Sequence, residues 1–546
     1  MHTMKTVKYI LSIFLAAALV ALTSCKDYLE LESKTNITDS WLYSTPEGLS
    51  RAVTALYDLD RKLAKPSEDN NDLYVVQMLD YCTDLMIFRA GTAAALARLV
   101  NLLPNNALIE GLWKHYYNII GKSNEIISAA ESMGLDNPVT HRAWAEAKFF
   151  RGRAYFELYK RYERLYLNIT PTSPDNLQRD FVPASKEDVF ERIRIDLDDA
   201  ISGLSWELPS GTSGAQYGRV TVAAAKHVRA QFAMWEEDWN TAIEQCEDIF
   251  EHTATCALEA KPETAFLSGA ELRSKEFLWT YQFSMELGGG ATGSTTLTGH
   301  RLGLTTLPTY HALGAYFTIA ADMGGYAWGR VYPNTYLLSL FDKDKDSRYK
   351  EMICTQLICN KPNTATFGQP YDMELSRGKS EYITNTHFFS KKYFDCWTNA
   401  DQPDRTSSFK DLPVLRMGET ALMCCEAYFH RDGGGSADAL LWYNKTWQRA
   451  GNAEERGPLT LDMILDEYAR ECYFEGVRWP LLKRLGLLGE RVRLHAGDSK
   501  TDDPYLDADY THARQNFVDG KHEVWPIPQS QIDLMGKSFP QHEAWN

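Results

Sequence analysis

The thirty residues Thr221–Phe250, TVAAAKHVRAQFAMWEEDWNTAIEQCEDIF, decide the fold. Ala224, Val228, Phe232 and Trp235 recur at steps of three and four, so they share one face of a helix that Thr221 opens. Asp238-Trp239 starts a partner helix with Ala242, Ile243, Cys246 and Phe250 on its apolar side. Two amphipathic helices joined by a short Glu/Asp turn form a hairpin of about 34 residues, the tetratricopeptide period. One such hairpin cannot bury its apolar stripe alone, so several must stack.

Working outward, the same pattern recurs. Phe190, Ile193, Leu197, Ile201 and Leu204 define another helical face, with Ser185 and Asp188 as a capping pair before it. Residues 108–132 and 139–163 supply an earlier helix pair. Leu415, Leu422, Cys425 and Phe429 give a further face, followed by Gly433-Gly434-Gly435 and a second helix through Trp442; Leu461, Ile464, Leu465 and Tyr468 begin one more. Residues 253–410 read differently. Phe277, Trp279, Tyr281 and Phe283 alternate as on a strand with one buried face, and glycine clusters at 288–290 and 324–325 punctuate long loops. The expected fold is mainly α: a tetratricopeptide-like scaffold of helical hairpins carrying a large irregular, partly β insertion. The expected parts are residues 46–252, 253–410 and 411–546. Loops on a rigid frame are where binding residues concentrate.

The amino terminus has its own logic. Lys5 and Lys8 precede the apolar run Ile10–Leu22, which is too short to span a bilayer comfortably. Leu22-Thr23-Ser24-Cys25 then has the order of a bacterial lipoprotein signal, with cleavage after residue 24 and acylation of Cys25. Residues 25–45 become a lipid-anchored tether, with Asp27, Glu30 and Glu32 close behind the anchor. The mature part holds 55 Lys and Arg (57 less the two in the signal) against 73 Asp and Glu, a net charge of −18. That argues against a nucleic-acid partner. Nine cysteines remain; Cys354 and Cys359 could close a small loop, Cys424 and Cys425 read as core residues, and no CxxC occurs.

Seven segments in order carry a family likeness: the lipobox; Ala145–Phe156, AEAKFFRGRAYF; Ile195–Ala200, IDLDDA; Gly218–Thr221; Asp411–Arg416 leading to Cys425-Glu426-Ala427; Glu471–Gly486, ECYFEGVRWPLLKRLG; and Trp525–Pro528, WPIP. Together they resemble the SusD/RagB-type outer-membrane nutrient-binding lipoproteins over nearly the whole chain. Pro480 departs from the family pattern, as does Gln541–Trp545 near the end. The resemblance implies a non-catalytic, cell-surface glycan-binding lipoprotein. It would sit on the outer membrane through its lipid and pass oligosaccharide or polysaccharide to a SusC-like TonB-dependent β-barrel transporter. A peptide ligand, as in RagB-like relatives, is the alternative; a surface glycosidase is a more distant one.

Catalytic signatures are missing from the sequence. Gly-Lys-Ser occurs at Gly121, Gly378 and Gly536, but Tyr116, Met373 and Gln531 stand where a phosphate loop needs glycine. There is no HExxH and no GxSxG, and no cofactor or metal is expected. Asp342, Asp344 and Asp346 lack the glycine and glutamate of a calcium loop and read as a charged turn. Glu475 and Arg478 read as a buried ion pair. The feature that fits a function is the aromatic content, 12%. Sugar rings stack their C–H faces on flat side chains, while amides and guanidiniums take the hydroxyls. By the family resemblance, the ligand site combines an early loop, about 78–106, with the insertion. The candidates are Tyr81, Phe88, Arg89, Asn105 and Asn106 from the loop, with Asp84 nearby. From the insertion come Arg301, Tyr310, Tyr316, Tyr326 and Trp328, with His300 and Tyr332. Trp328 leads them, because it is a large ring on a small-residue loop behind Gly324-Gly325.

Overall fold

The computed structural model describes residues 39–64, 81–88, 94–172, 181–211, 214–287, 290–291, 299–373, 385–497 and 512–546. The expected signal segment, Cys25 and Arg89 lie outside them. The scaffold is helical: α1 (Pro46–Arg61), α2 (Ala107–Met133), α3 (Pro138–Tyr162), α4 (Lys186–Gly203), α5 (Val222–Glu236), α6 (Trp239–Glu251), α7 (Met417–Asp432), α8 (Ala437–Trp447), α9 (Leu461–Cys472) and the short α10 (Arg478–Arg484). Each of α2 to α7 packs on the next, so the hairpins stack in chain order, with the insertion entering between α6 and α7. Local chemistry sets the helix starts. The Asn106 side chain accepts from the Leu108 and Ile109 N–H groups, Asn137 does the same before Pro138, and Asp238 accepts from Thr241 N–H. Among the described residues no helix is long and apolar enough to cross a membrane.

Strands are short and come in pairs. β1 (Met86–Phe88) runs antiparallel to β3 (Val331–Pro333), with Phe88 opposite Val331. β2 (Phe277–Tyr281) pairs with β6 (Leu412–Arg416), and β4 (Gln356–Ile358) with β5 (Pro370–Asp372). Two expectations change here. Leu415 belongs to β6 and not to the following helix, which begins at Met417. β2 is buried on both faces from Leu278 to Tyr281, because Trp279 packs on Phe149, Phe150 and Tyr57 of the helical layer while Thr280 is covered as well. Cys354 and Cys359 are free thiols either side of β4, Cys354 in the two-residue strand Ile353–Cys354 and Cys359 just past Ile358, rather than a closed loop.

Charge is buried throughout the core. Helix α3 is enclosed along most of its length, and several of its ionic side chains meet partners from neighbouring helices. Arg151 forks onto Asp196 at 2.7 Å on both oxygens, Arg153 reaches Asp60 at 2.9 Å and Lys148 reaches Asp199 at 2.8 Å. A larger network joins the insertion to the C-terminal helices. Arg416 meets Glu276 at 2.7 Å, Glu471 at 2.6 Å and Glu475 at 2.8 Å. Arg449 bridges Glu276 and Glu471 at 2.7 and 2.5 Å, and Arg348 bridges Asp346, Glu467 and Glu471 at 2.8–2.9 Å. Lys392 closes on Glu475 at 2.6 Å.

The expected Glu475–Arg478 pair does not form. Glu475 turns to Arg416 and Lys392, while Arg478 forks onto Asp84 at 2.8 and 2.6 Å. Asp84 is thereby a structural anion rather than a ligand contact. Asp346 is likewise consumed by Arg348, and Asp342 caps the turn by accepting from the Asp344 and Lys345 N–H groups, so the acidic triplet forms a charged turn, the reading its missing glycine and glutamate favour.

Removing one partner of a buried ionic network leaves an uncompensated charge, at roughly 3–5 kcal/mol. Arg416→Met should therefore lower unfolding free energy by about that amount in urea titrations. A loss below about 1 kcal/mol, the surface-pair range, would show that water reaches these carboxylates.

Candidate functional site

The insertion presents a patch of rings and guanidiniums over residues 301–330. Its backbone is laced to the short helix Leu302–Thr306. Trp328 N–H donates to Leu304 C=O, Gly329 N–H to Leu307 C=O and Arg330 N–H to Thr305 C=O, each at 2.8 Å. Tyr326 N–H donates to Pro403 C=O at 2.8 Å. The turn before it requires glycine. Gly324 and Gly325 sit at φ +87° and +76°, and a Cβ on Gly325 would lie 2.8 Å from the Pro403 carbonyl oxygen. The Tyr310 hydroxyl donates to Gly325 C=O at 2.7 Å and fixes the turn from below.

Side chains then form the surface. Tyr326 stacks on His311 with centroids 5.0 Å apart, and both rings are half-buried. His311 Nε2 approaches the Ala327 carbonyl at 3.3 Å. The half-buried Trp328 ring has the guanidiniums of Arg301 and Arg330 at 5.0 and 4.3 Å from its centroid. Tyr316 is 36% exposed and meets Tyr371 of β5 edge-on at 5.2 Å. Its carbonyl accepts from the Asn360 and Lys361 N–H groups, which seats the β4–β5 hairpin against this loop.

The other candidates divide. Tyr81 and Phe88 stack on each other at 4.4 Å and are buried, so their rings are core. Tyr310 is fully buried under the glycine turn. Tyr332 is buried against His387, and His300 is enclosed between Lys410 C=O and Leu302 N–H. Asn106 spends its side-chain oxygen on the α2 cap, while Asn105 beside it is exposed. The β1–β3 pairing does place Phe88 opposite Val331, three residues from Trp328, so early segment and insertion meet in space. Sequence reasoning missed His311 and Arg330. Arg330 follows Gly329 on the same loop and could have been named from that position; nothing local marks His311. Among the described residues no group of three or more His, Cys, Asp or Glu is arranged to hold a metal ion.

Residues 275–545, which include this patch and the buried network, match the model of the SusD family. The chain belongs to the SusD family. SusD-like protein P2 of Formosa agariphila is 24% identical over 404 residues, which cover 71% of this chain and 73% of the relative. Among solved structures, a laminarin-binding SusD-like protein superposes with a TM-score of 0.69 at 18% identity, covering 91% of this chain and 99% of its own. Surface glycan-binding protein A from Bacteroides thetaiotaomicron, in complex with laminarihexaose, gives 0.67 at 20% identity over 91% and 99%. At these identities the structural likeness is one of fold.

Two tests bear on how this part of the molecule is held. Gly325→Ala puts a side chain into a left-handed turn and against a carbonyl, and should cost roughly 1–3 kcal/mol in urea unfolding. Burial lowers His300 and His115 to about 4, so each stays neutral in the fold where the unfolded chain would protonate. Between pH 4 and 6.5 the unfolded state binds more protons. Stability is therefore lost as pH falls through that window, by up to about 1.4 kcal/mol per pH unit for each ring. Urea midpoints at pH 7.5, 5.5 and 4.5 measure the slope, and His115→Phe should reduce it.

Proposed function

We propose that this chain is a non-catalytic glycan-binding lipoprotein of the cell surface, anchored through Cys25, that hands its ligand to a TonB-dependent β-barrel transporter. The observation that carries the reading is the patch of Trp328, Tyr326 and His311 with Arg301 and Arg330. Flat rings offer the faces that sugar C–H groups stack on, and guanidinium N–H groups can donate to hydroxyls. The rigid lacing of the loop supports it, because a preformed surface loses little conformational entropy on binding. The glycan ligands named for two SusD-fold proteins above point the same way. Asn105 and Tyr316 are proposed as peripheral contacts, while the buried Tyr81, Phe88 and Tyr310 support the patch without touching ligand.

Calorimetric titration against a panel of glycans and peptides tests the reading, with a check for new reducing ends afterwards. Saturable heat with an intact glycan is expected. Heat with peptides alone, or shortened sugar, overturns it. Trp328→Ala should weaken glycan binding by about 1–3 kcal/mol, the range for stacked aromatic contacts, with little change in melting temperature. Unchanged affinity would remove Trp328 from the site.

A further inference from the structure

A second place, remote in sequence from the aromatic patch, has unfilled hydrogen-bonding capacity. A cavity of about 100 Å³ lies between α3, α5, α10 and the junction of β6 with α7. Arg153, Lys160, Arg161 and Arg484 line it, together with the carboxylates of Glu157, Glu419 and Glu475. The carboxylates are engaged. Glu157 accepts from Lys160 at 2.6 Å and Arg161 at 2.7 Å. Glu419 meets His227 at 3.2 Å and Gln231 at 2.7 Å, and Glu475 is held by Arg416 and Lys392.

The cations are engaged only in part. Lys160 Nζ carries three N–H groups and finds one acceptor, Glu157. Arg161 uses a single terminal nitrogen, on the Glu157 carbonyl and carboxylate. Arg153 gives one nitrogen to Asp60, and Arg484 gives one to Glu426. Among the described residues no hydrogen bond takes the other N–H groups of these four side chains. The rings of Phe156, Trp525 and Trp279 lie 4.7, 5.7 and 5.0 Å from the charges of Lys160, Arg161 and Arg153, which covers faces and leaves edges. These spare N–H groups are not sealed in the core but line the cavity, so whatever fills it, water or an ion, supplies their acceptors. Burial, with the neighbouring Arg161 and Arg153 charges, draws the Lys160 ammonium below its ordinary range against the pull of Glu157.

We propose that this cavity is a binding site for one small oxyanion of sulfate or phosphate type. Such an ion brings several acceptor oxygens and negative charge to one point, and guanidinium edges match it geometrically. Size agrees: at about 10–15 Å³ for each water on this measure, the space takes a cluster of several waters or one tetrahedral ion. The site shares no residue with the aromatic patch and stands or falls separately from the glycan reading.

Calorimetric titration of the purified protein with sodium sulfate tests it, with chloride holding ionic strength constant. Saturable binding with one ion per chain is expected. Lys160→Met should weaken it at least tenfold, while Arg161 continues to satisfy Glu157 and glycan binding at Trp328 is unchanged. Because that variant could disturb the fold, crystals of the unaltered protein soaked in selenate give a second reading. An anomalous peak within hydrogen-bond reach of Lys160 and Arg161 supports the site. Absence of saturable heat, equal heat in Lys160→Met, or a cavity holding only water in the soaked crystals overturns it.

Discussion

The Arg416–Glu471 contact, 2.6 Å long and fully enclosed, is where the molecule is tied together. Arg416 ends β6 at the return from the insertion, and Glu471 lies in the last turn of α9. Around that contact gather Glu276 from the entry to β2, Arg348 from the turn before β4, Lys392 from the far side of the insertion and Arg449 from the end of α8. The partners are separated by up to 195 residues in sequence, from Glu276 to Glu471. Bringing them together fixes where the insertion leaves and rejoins the helical stack. Glu471 is held well below its ordinary range: burial opposes ionisation, but Arg449, Arg416 and Arg348 outweigh it. An apolar cluster of the same volume could supply comparable stability. What the ions add is directionality, since each carboxylate is satisfied in one arrangement only.

That anchoring explains how a region with so little regular structure can present a surface. The insertion contributes two- to five-residue strands and short helical turns, each too small to be stable alone. Their order comes from attachments at both ends. Lys410 donates to the carbonyls of Phe266, Lys392 and Phe394, and Asp411 accepts from the Leu272 and Phe283 N–H groups, so the return strand is stitched to the entry strand before β6 begins. The loop bearing Trp328 then hangs from the Leu302–Thr306 turn and its C-cap Leu307 by hydrogen bonds from three consecutive residues. Ring positions on such a loop are set by backbone, so the half-buried rings of Tyr326 and Trp328 hold fixed places at the surface.

The helical scaffold was legible because its signals are local. Ser185 and Asp238 each cap a helix within four residues, and the apolar faces repeat at helical spacing, whereas the cap at Asn106 reads from the sequence as a ligand contact. The site was only half legible. Trp328 and Tyr326 flank small residues and do reach the surface in part, but Tyr310 and Tyr81 occupy similar-looking stretches and are core. What separates them is whether a distant chain covers the ring, and no local pattern encodes that. The Glu475–Arg478 expectation failed for the same reason. Three residues apart, they suggested each other, yet φ of +65° at Phe474 and +74° at Gly476 turns the chain so that their side chains leave in different directions.

Residues 471–486 make the point at the level of energetics. Glu471 addresses Arg348 of the insertion, Glu475 Arg416 of the return strand, Arg478 the early segment through Asp84, Lys483 the α3 carbonyl at Lys160 and Arg484 the α7 carboxylate Glu426. Five polar side chains in sixteen residues thus reach five separate elements. Substituting any of them strands a buried partner elsewhere, whereas an exposed ring can change with the ligand at small structural cost. The segment that best reveals the family is therefore one whose charged side chains are spent on holding other elements in place. Its recognisability follows from burial, and the ligand's identity has to be read from the surface that this anchoring leaves free to vary.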